Sequence, residues 1–392
     1  DYRSPDAWIY TQLAEYLINK RDLEHVEEIL VRAVNTPPDY PETHYEFARY
    51  YRLENDNRME RQALENAIRR FENPDQAVDS GRSFLLPVEQ QMTLERNAKL
   101  ILTHNRLGEF YAAENQAVVA DDHYATAQQL FQENAERLLA TRFAREGAFG
   151  KIFYNRGNIA FLSANYDRAL DFYVSAERYG FIHPDQYYKK GFIFYRRGDY
   201  DEARNEFHTA AAELPENENI LYALATTEYR RLQFAVAEGY YLYLADLLRT
   251  RMDMIPEIRE EDNPAHRDLI TNLYVTYNNL GCTYFKRSTV PGDRNTTEAL
   301  AYLERAAELY DAISRDPETL ARLEQTKIAR RRGGEEYVAN GMLRKAPYPF
   351  YNMDVIFHEK ENTVYLNEEI DVEIYDLLPV TLESSGLLSS GG

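Results

Sequence analysis

Cysteine is nearly absent from this sequence, which has only Cys282 among its 392 residues. A single cysteine excludes an intrachain disulfide framework. No basic residue stands next to Cys282 to activate it, so we expect a structural thiol. Long apolar runs are also missing. None approaches the ~18 to 20 residues that cross a bilayer, and we therefore expect no transmembrane segment.

Basic residues are too few to balance the acidic ones. Lys and Arg total 45 against 65 Asp and Glu, and 45 − 65 gives a formal charge of −20. A surface of this sign repels DNA, RNA and anionic lipid. We expect no nucleic-acid partner.

Catalytic and cofactor signatures are absent as well. The sequence has no phosphate-binding G-x-x-x-x-G-K-[ST] loop, no G-x-S-x-G nucleophile elbow and no dinucleotide fingerprint. None of its eight histidines lies four residues from another or beside the cysteine, as zinc sites usually require. We therefore predict no enzyme, no cofactor and no metal site.

Tyrosine and arginine are abundant. The chain has 32 Tyr, and only nine of its 45 basic residues are Lys. Both residue types are enriched at protein interfaces, where they provide large buried areas and planar hydrogen bonding. This composition favours a protein that binds other proteins.

An internal repeat lies in the middle of the chain. One and the same distance along the sequence separates Gly157 from Gly191, Tyr166 from Tyr200, Ala169 from Ala203 and Ala176 from Ala210. Small residues at fixed places allow two helices to pack closely, and a period of about 34 residues is typical of stacked helical hairpins.

This pattern resembles the tetratricopeptide repeat (TPR), which has two antiparallel helices in each repeat of about 34 residues. The resemblance implies an all-α, right-handed superhelical TPR solenoid of about seven helical hairpins. Weaker copies extend the register in both directions. The predicted units are 7–40, 41–74, 101–134, 150–183, 184–217, 218–251 and 274–313.

Interruptions of the period predict the domain organisation. A helix running to about Arg332 should cap the array, because a solenoid needs a covered end. The predicted segments are N-terminal TPR-like hairpins over 1–80, an elongated helical hairpin over 81–149, central TPR units over 150–251, an extended last unit with the capping helix over 252–334, a strand-containing segment over 335–383 and a disordered tail over 384–392.

The strand prediction depends on alternation near the C-terminus. Met353, Val355 and Phe357 alternate with polar residues, as do Ile370, Val372 and Ile374, and a period of two indicates strand. We expect a small β appendage that packs on something else, since an isolated hairpin is marginally stable.

Candidate binding residues come from equivalent positions in the predicted first helices, which line the concave face in TPR proteins. Two sets of aromatic rings recur with the period of the repeat: the first is Tyr154, Tyr188 and Tyr222, and the second is Phe161, Tyr195 and Tyr229. Cations and asparagines lie near them in the sequence. That the rings only pack between repeats is an alternative that stays open. The candidates are Lys151, Tyr154, Asn155, Asn158, Phe161, Tyr188, Lys189, Tyr195, Arg196, Tyr222, Tyr229, Arg230, Asn278, Asn279 and Lys286.

These observations predict a scaffold or adaptor that binds a partner segment in the concave groove. The cations at the groove favour an acidic ligand with apolar anchors. The acidic and apolar stretch Met353–Tyr375 could itself occupy the groove, in cis or from a second copy. The alternative is a regulatory module that senses a peptide or small ligand. The Tyr-rich, Arg-rich and acidic style also resembles spirochaete periplasmic TPR proteins of the flagellar collar, which slightly favours a periplasmic location.

Overall fold

The computed structural model describes residues 7–72, 86–254, 264–287, 295–326, 330–332, 335–337, 347–360 and 371–377. It divides into two compact units, Asp1–Ile182 and His183–Gly392. Apart from two short strands, the regular structure of these residues is helical. Among the described helices, none combines the length and apolar character that crossing a membrane requires.

The first unit consists of four antiparallel helical hairpins and short helical pieces. Within the predicted elongated hairpin over 81–149, the second helix breaks at Asn134. The helices are α1 (Ala7–Lys20), α2 (Val26–Val34), α3 (Pro41–Leu53), α4 (Asn57–Glu72), α5 (Leu86–Ala113), α6 (Ala117–Glu133), α7 (Ala135–Leu139), a 3-10 turn (Arg142–Gly147), α8 (Gly150–Leu162) and α9 (Tyr166–Arg178).

The second unit continues with three more hairpins and C-terminal pieces. Its elements are α10 (Pro184–Arg197), α11 (Tyr200–Glu213), α12 (Glu218–Arg230), α13 (Phe234–Asp253), α14 (Pro264–Arg287), α15 (Thr296–Ser314), α16 (Pro317–Thr326), β1 (Arg330–Arg332), β2 (Glu335–Tyr337) and α17 (Tyr348–Lys360).

The turns inside the hairpins repeat with the sequence period. One residue in each described turn takes a left-handed conformation, and φ is 55° at Ala164, 88° at Gly198 and 62° at Leu232. Successive positions are one repeat period apart, as are the equivalent Arg21 and Asn55. Glycine at 198 adopts this conformation without a steric penalty. The period found in the sequence is thus a period of backbone geometry.

Close helix contact explains the small residues. At Gly191 an added Cβ would lie 2.7 Å from the Phe207 ring. Ala203 and Ala210, on the opposing helix, are fully buried. The hairpin α10–α11 therefore packs at a distance that a larger residue at 191 would prevent.

The predicted β appendage is wrong. Residues 348–360 form α17, whose buried residues Tyr348, Tyr351, Asn352, Val355 and Ile356 follow the helical period of 3.6. Phe357, which the alternation placed inside, is 46% exposed. Residues 371–377 are described and form no strand, whereas Ile370 and the tail over 384–392 lie outside the described residues.

The capping helix is shorter than predicted. α16 ends at Thr326, and Arg330–Arg332 forms an antiparallel pair with Glu335–Tyr337. Gly333 and Gly334, which separate these two strands in the sequence, lie outside the described residues. In the backbone register of this strand pair, Arg331 stands opposite Glu336 and Arg332 opposite Glu335.

Candidate functional site

In the second unit, residues 371–377 lie extended against α10, α12, α14 and α17. We call these residues the C-terminal segment. The side chains of the array that bond to it form a polar surface, which we call the contact surface. It consists of Tyr195, Tyr222, Arg230, Tyr274, Asn278, Asn279, Cys282 and Lys286.

Two asparagines, Asn279 and Asn352, each bond to both main-chain groups of one residue of the C-terminal segment. Asn279 donates to the carbonyl oxygen of Tyr375 at 2.8 Å and accepts its N–H at 2.8 Å. Asn352 on α17 makes the same pair with Glu373, at 2.8 Å and 2.7 Å. Each amide side chain thus replaces a neighbouring strand, because it offers one donor and one acceptor side by side.

Asn278 links these two interactions. Its amide donates to the carbonyl oxygen of Glu373 at 3.1 Å, and its own oxygen accepts from Asn352 at 2.9 Å. Asn278 and Asn279 are fully buried. Burial of unpaired amides would be costly, so the main chain of the segment satisfies groups that are shielded from water.

A second polar cluster surrounds Asp376. Its carboxylate accepts from the Tyr195 hydroxyl, and also from Arg230 Nη2 at 3.1 Å. Arg230 Nε donates to Tyr195 at 3.1 Å, so the three groups form a closed triangle. The Tyr222 hydroxyl donates to the Tyr375 carbonyl oxygen at 2.7 Å.

Lys286 marks the other end of the segment. Its ammonium pairs with the carboxylate of Asp371. Since Arg230 pairs with Asp376, a cation from the array contacts an acidic residue at each end of the segment. Both pairs retain some exposure to solvent. We therefore expect them to fix the orientation and register of the segment as much as they strengthen its binding.

Apolar side chains of the segment enter the core of the unit. Val372 and Ile374 are each 4% exposed and pack with Tyr229, Phe285 and α17 residues. Tyr375 enters a neighbouring cluster, where its hydroxyl lies 2.8 Å from that of Tyr274. The segment therefore contributes to the packing of this unit.

The electrostatics keep the hydroxyl and thiol donors neutral. Burial, together with the Asp376 carboxylate, raises the pKa of Tyr195 well above its ordinary value. Burial likewise raises the pKa of Tyr222. The pKa of the Cys282 thiol is raised by burial and then by the Asp371 carboxylate. The Cys282 thiol donates weakly to the Glu373 carbonyl oxygen at 3.4 Å and lies in a structural environment.

The aromatic rings of both predicted sets pack inside their own hairpins. Tyr188 lies 5.4 Å from Phe207, and Tyr222 lies 6.0 Å from Tyr241. In the second set, Tyr195 lies 5.3 Å from Tyr200 and Tyr229 lies 5.2 Å from Phe234. Packing and contact are compatible, because the ring packs while the hydroxyl of Tyr195 or Tyr222 reaches the segment.

Two predicted residues of α10 are placed differently from the contact surface. Lys189 is buried, and its ammonium pairs with Asp185 one turn earlier. Arg196 is exposed, and its side chain makes no hydrogen bond or ion pair within the described residues. The cation that accompanies Tyr195 is Arg230, which comes from the next hairpin.

The predicted residues of the first unit are engaged within that unit. Lys151 pairs with Glu109 at 2.9 Å, and Asn155 donates to Asn105 at 3.1 Å. Asn158 accepts from Tyr173 at 3.0 Å. Tyr154 and Phe161 are buried, beside Phe181 and Tyr166 respectively. Their part in binding stays a prediction.

Sequence reasoning missed Asn352 and Tyr274. Asn352 lies in a stretch that the alternation predicted as strand, and a strand there gives no reason to pair it with α14. Tyr274 is the first residue of the predicted unit 274–313, and its position holds no aromatic ring in the three preceding units, where Gly150, Pro184 and Glu218 stand. Within the described ranges, no group of three His, Cys, Asp or Glu side chains is arranged as metal ligands would be.

Comparison with known proteins gives structural likeness alone. No protein-family model matches the chain, and no curated protein matches it. Among solved structures, it is similar to PilF of Pseudomonas aeruginosa, with 17% identity, coverage of 62% of this chain and 91% of that one, and a TM-score of 0.42.

Two further structures are TPR proteins. YrrB, described as a TPR protein with an unusual peptide-binding site, shares 15% identity over 60% of this chain and 97% of its own, with a TM-score of 0.40. The C-terminal part of a TPR protein from Cytophaga hutchinsonii shares 12% identity over 79% and 98%, with a TM-score of 0.45. At such low identities and TM-scores, these likenesses do not indicate what the chain binds.

Proposed function

We propose that this chain is a protein-interaction scaffold or adaptor of TPR type, whose contact surface binds an extended segment of a partner protein. One observation carries the proposal. The buried amides of Asn278 and Asn279, on a helix of the array, bond to the main chain of an extended segment. Main-chain pairing combined with side-chain pockets is a general way to recognise a peptide.

Charge supports an acidic ligand. The chain has a formal charge of −20, yet Arg230 and Lys286 both face the C-terminal segment. Complementary charge increases the association rate and excludes partners of the wrong sign. A partner with acidic and apolar residues fits this surface best.

A regulatory module that senses a peptide or small ligand is the second candidate. Its support is a cleft of about 190 Å³ lined by Tyr229, Arg230, Phe234 and Lys286, together with residues of the C-terminal segment. The cleft is smaller than most ligand pockets, which hold ~300 to 1,000 Å³. We therefore prefer the protein partner. A role in a flagellar collar, a periplasmic location and self-association remain predictions.

Affinity capture from the native organism with mass spectrometry tests the proposal. We expect the combined substitution Arg230→Ala and Asn279→Ala to weaken capture of specific partners at least about tenfold, since it removes a charged pair and a paired main-chain contact. The control is Arg196→Ala, which alters an exposed cation outside the contact surface.

Circular dichroism must show that the combined variant keeps its helical content. Capture at full strength by a folded Arg230→Ala, Asn279→Ala variant would place the partner site elsewhere on the chain. Equal loss in the Arg196→Ala control would instead indicate a general effect of surface charge.

A further inference from the structure

We infer that the C-terminal segment is an internal copy of the ligand that the contact surface recognises. The partner then carries an extended segment of the same pattern: an acidic residue, apolar residues one and three positions later, a tyrosine at four and a second acidic residue at five. In this chain those positions are Asp371, Val372, Ile374, Tyr375 and Asp376. The inference rests on the proposed function. It adds the residue pattern of the partner segment, and it makes the C-terminal segment a competitor of that partner for the contact surface.

The main-chain contacts fix an extended conformation. Asn352 binds the N–H and carbonyl oxygen of Glu373, and Asn279 binds those of Tyr375, two residues further on. Alternate residues of an extended chain direct their main-chain groups to the same side. A helical ligand has these groups bonded internally and could not satisfy both asparagines.

The side-chain contacts select residue types. Val372 and Ile374 enter an apolar cluster with Ala225, Tyr229 and Phe285, so the ligand needs apolar residues two positions apart. Tyr375 enters a pocket in which its hydroxyl meets that of Tyr274 at 2.8 Å. A phenylalanine there would leave the Tyr274 hydroxyl without this hydrogen bond, which favours tyrosine.

The two charged pairs set the register. Asp371 contacts Lys286, and Asp376 contacts Arg230. These acidic residues are five positions apart, which corresponds to roughly 16 Å in an extended chain. A ligand shifted by one residue would lose both pairs and would turn its apolar side chains to the other side.

The chemistry of the contact surface is that of a surface that binds peptides. If these positions served only to pack the C-terminal segment, apolar residues would stabilise the contact better than Asn278 and Asn279. Burial of the two amides is costly unless main-chain groups form hydrogen bonds with them. An internal copy competes with an external ligand, so the apparent affinity for the partner is the intrinsic affinity reduced by the fraction of open surface.

Fluorescence anisotropy with a labelled synthetic peptide tests this inference on the full chain. The probe is Asp-Val-Glu-Ile-Tyr-Asp-Leu, the sequence of residues 371–377. We expect the variant Tyr375→Ala, in which the internal copy is weakened, to bind the probe at least about tenfold more tightly than the unaltered chain. Asn279→Ala, added to Tyr375→Ala, should abolish the gain.

A milder variant and two controls keep the test decisive if Tyr375→Ala does not fold. Asp376→Asn nearly conserves shape and removes only the charge opposite Arg230, so we expect a smaller gain, about threefold. A peptide of the same composition in scrambled order should not bind. Arg196→Ala should behave like the unaltered chain. The inference is overturned if the folded Asp376→Asn chain binds the probe no better than it binds the scrambled peptide.

Two further results separate this inference from the proposed function. If partner capture depends on Arg230 and Asn279 but excess probe does not compete with it, the proposed function stands and the internal-ligand assignment fails. If the unaltered chain instead forms a concentration-dependent dimer that the probe dissociates, the natural occupant is a second copy. That outcome overturns the assignment to a different protein.

Discussion

Asn279 illustrates how a single buried side chain carries information about binding. It lies on α14, is fully buried and bonds to both main-chain groups of Tyr375. The sequence could identify it as a candidate because the repeat register places it on a first helix. Its partner could not be predicted in the same way, since no periodic signal joins positions 279 and 375.

Gly191 gives a residue-level prediction about stability. An added Cβ would lie 2.7 Å from the Phe207 ring, so Gly191→Leu should overpack the α10–α11 contact. We expect the free energy of unfolding to fall by about 1 to 3 kcal/mol or more, measured by chemical denaturation. Gly239→Ala is the control, because nothing lies within 4 Å of a Cβ there.

The control should stabilise the chain by about 0.5 to 1 kcal/mol, as alanine favours a helix interior over glycine. An unchanged denaturation midpoint for Gly191→Leu would show that the two helices are further apart than the structure describes.

At the scale of elements, helices that belong to the repeat could be predicted from the sequence more reliably than a segment outside it. The positions of α8 to α13 follow from repeated small and aromatic residues, each of which supports the same register. α17 was wrongly predicted as strand because Met353, Val355 and Phe357 alternate by chance within a helix whose buried residues follow another period. Three residues are too few to distinguish a period of two from one of 3.6.

The hairpin α5–α6 contains a pair of histidines that predicts pH dependence. The Nδ1 atoms of His104 and His123 lie 3.0 Å apart. Burial, and then the charge of His123, lower the pKa of His104 to about 4. In the unfolded chain, His104 would become protonated as the pH falls through about 6.5. In the folded chain, its protonation requires a pH of about 4.

The free energy of unfolding should therefore fall as pH decreases from about 6.5 to 4, by up to about 3 kcal/mol from His104. Urea denaturation across this range should give a flatter profile for His104→Asn. His25 is exposed, so His25→Asn serves as the control and should keep the original slope. Parallel profiles for the unaltered chain and His104→Asn would contradict the effect assigned to burial.

On the scale of the whole molecule, many cations of this acidic chain are used internally. Lys99 is 2% exposed, and its ammonium bonds to Glu15 at 3.0 Å and Glu46 at 2.7 Å, which joins α1, α3 and α5. The composition predicted an acidic surface, but it could not predict which cations remain available to a ligand. Arg230 and Lys286 could be distinguished from Arg196 only when the C-terminal segment was located.

Hydrogen exchange of residues 371–377 tests the central claim most directly. In the free chain the amides of Glu373 and Tyr375 should exchange slowly, because Asn352 and Asn279 accept their N–H groups. In a complex with a captured partner we expect these amides to exchange faster while α12 and α14 stay protected. Unchanged slow exchange at 373 and 375 in the complex would contradict the account, since the partner would then bind without using the contact surface.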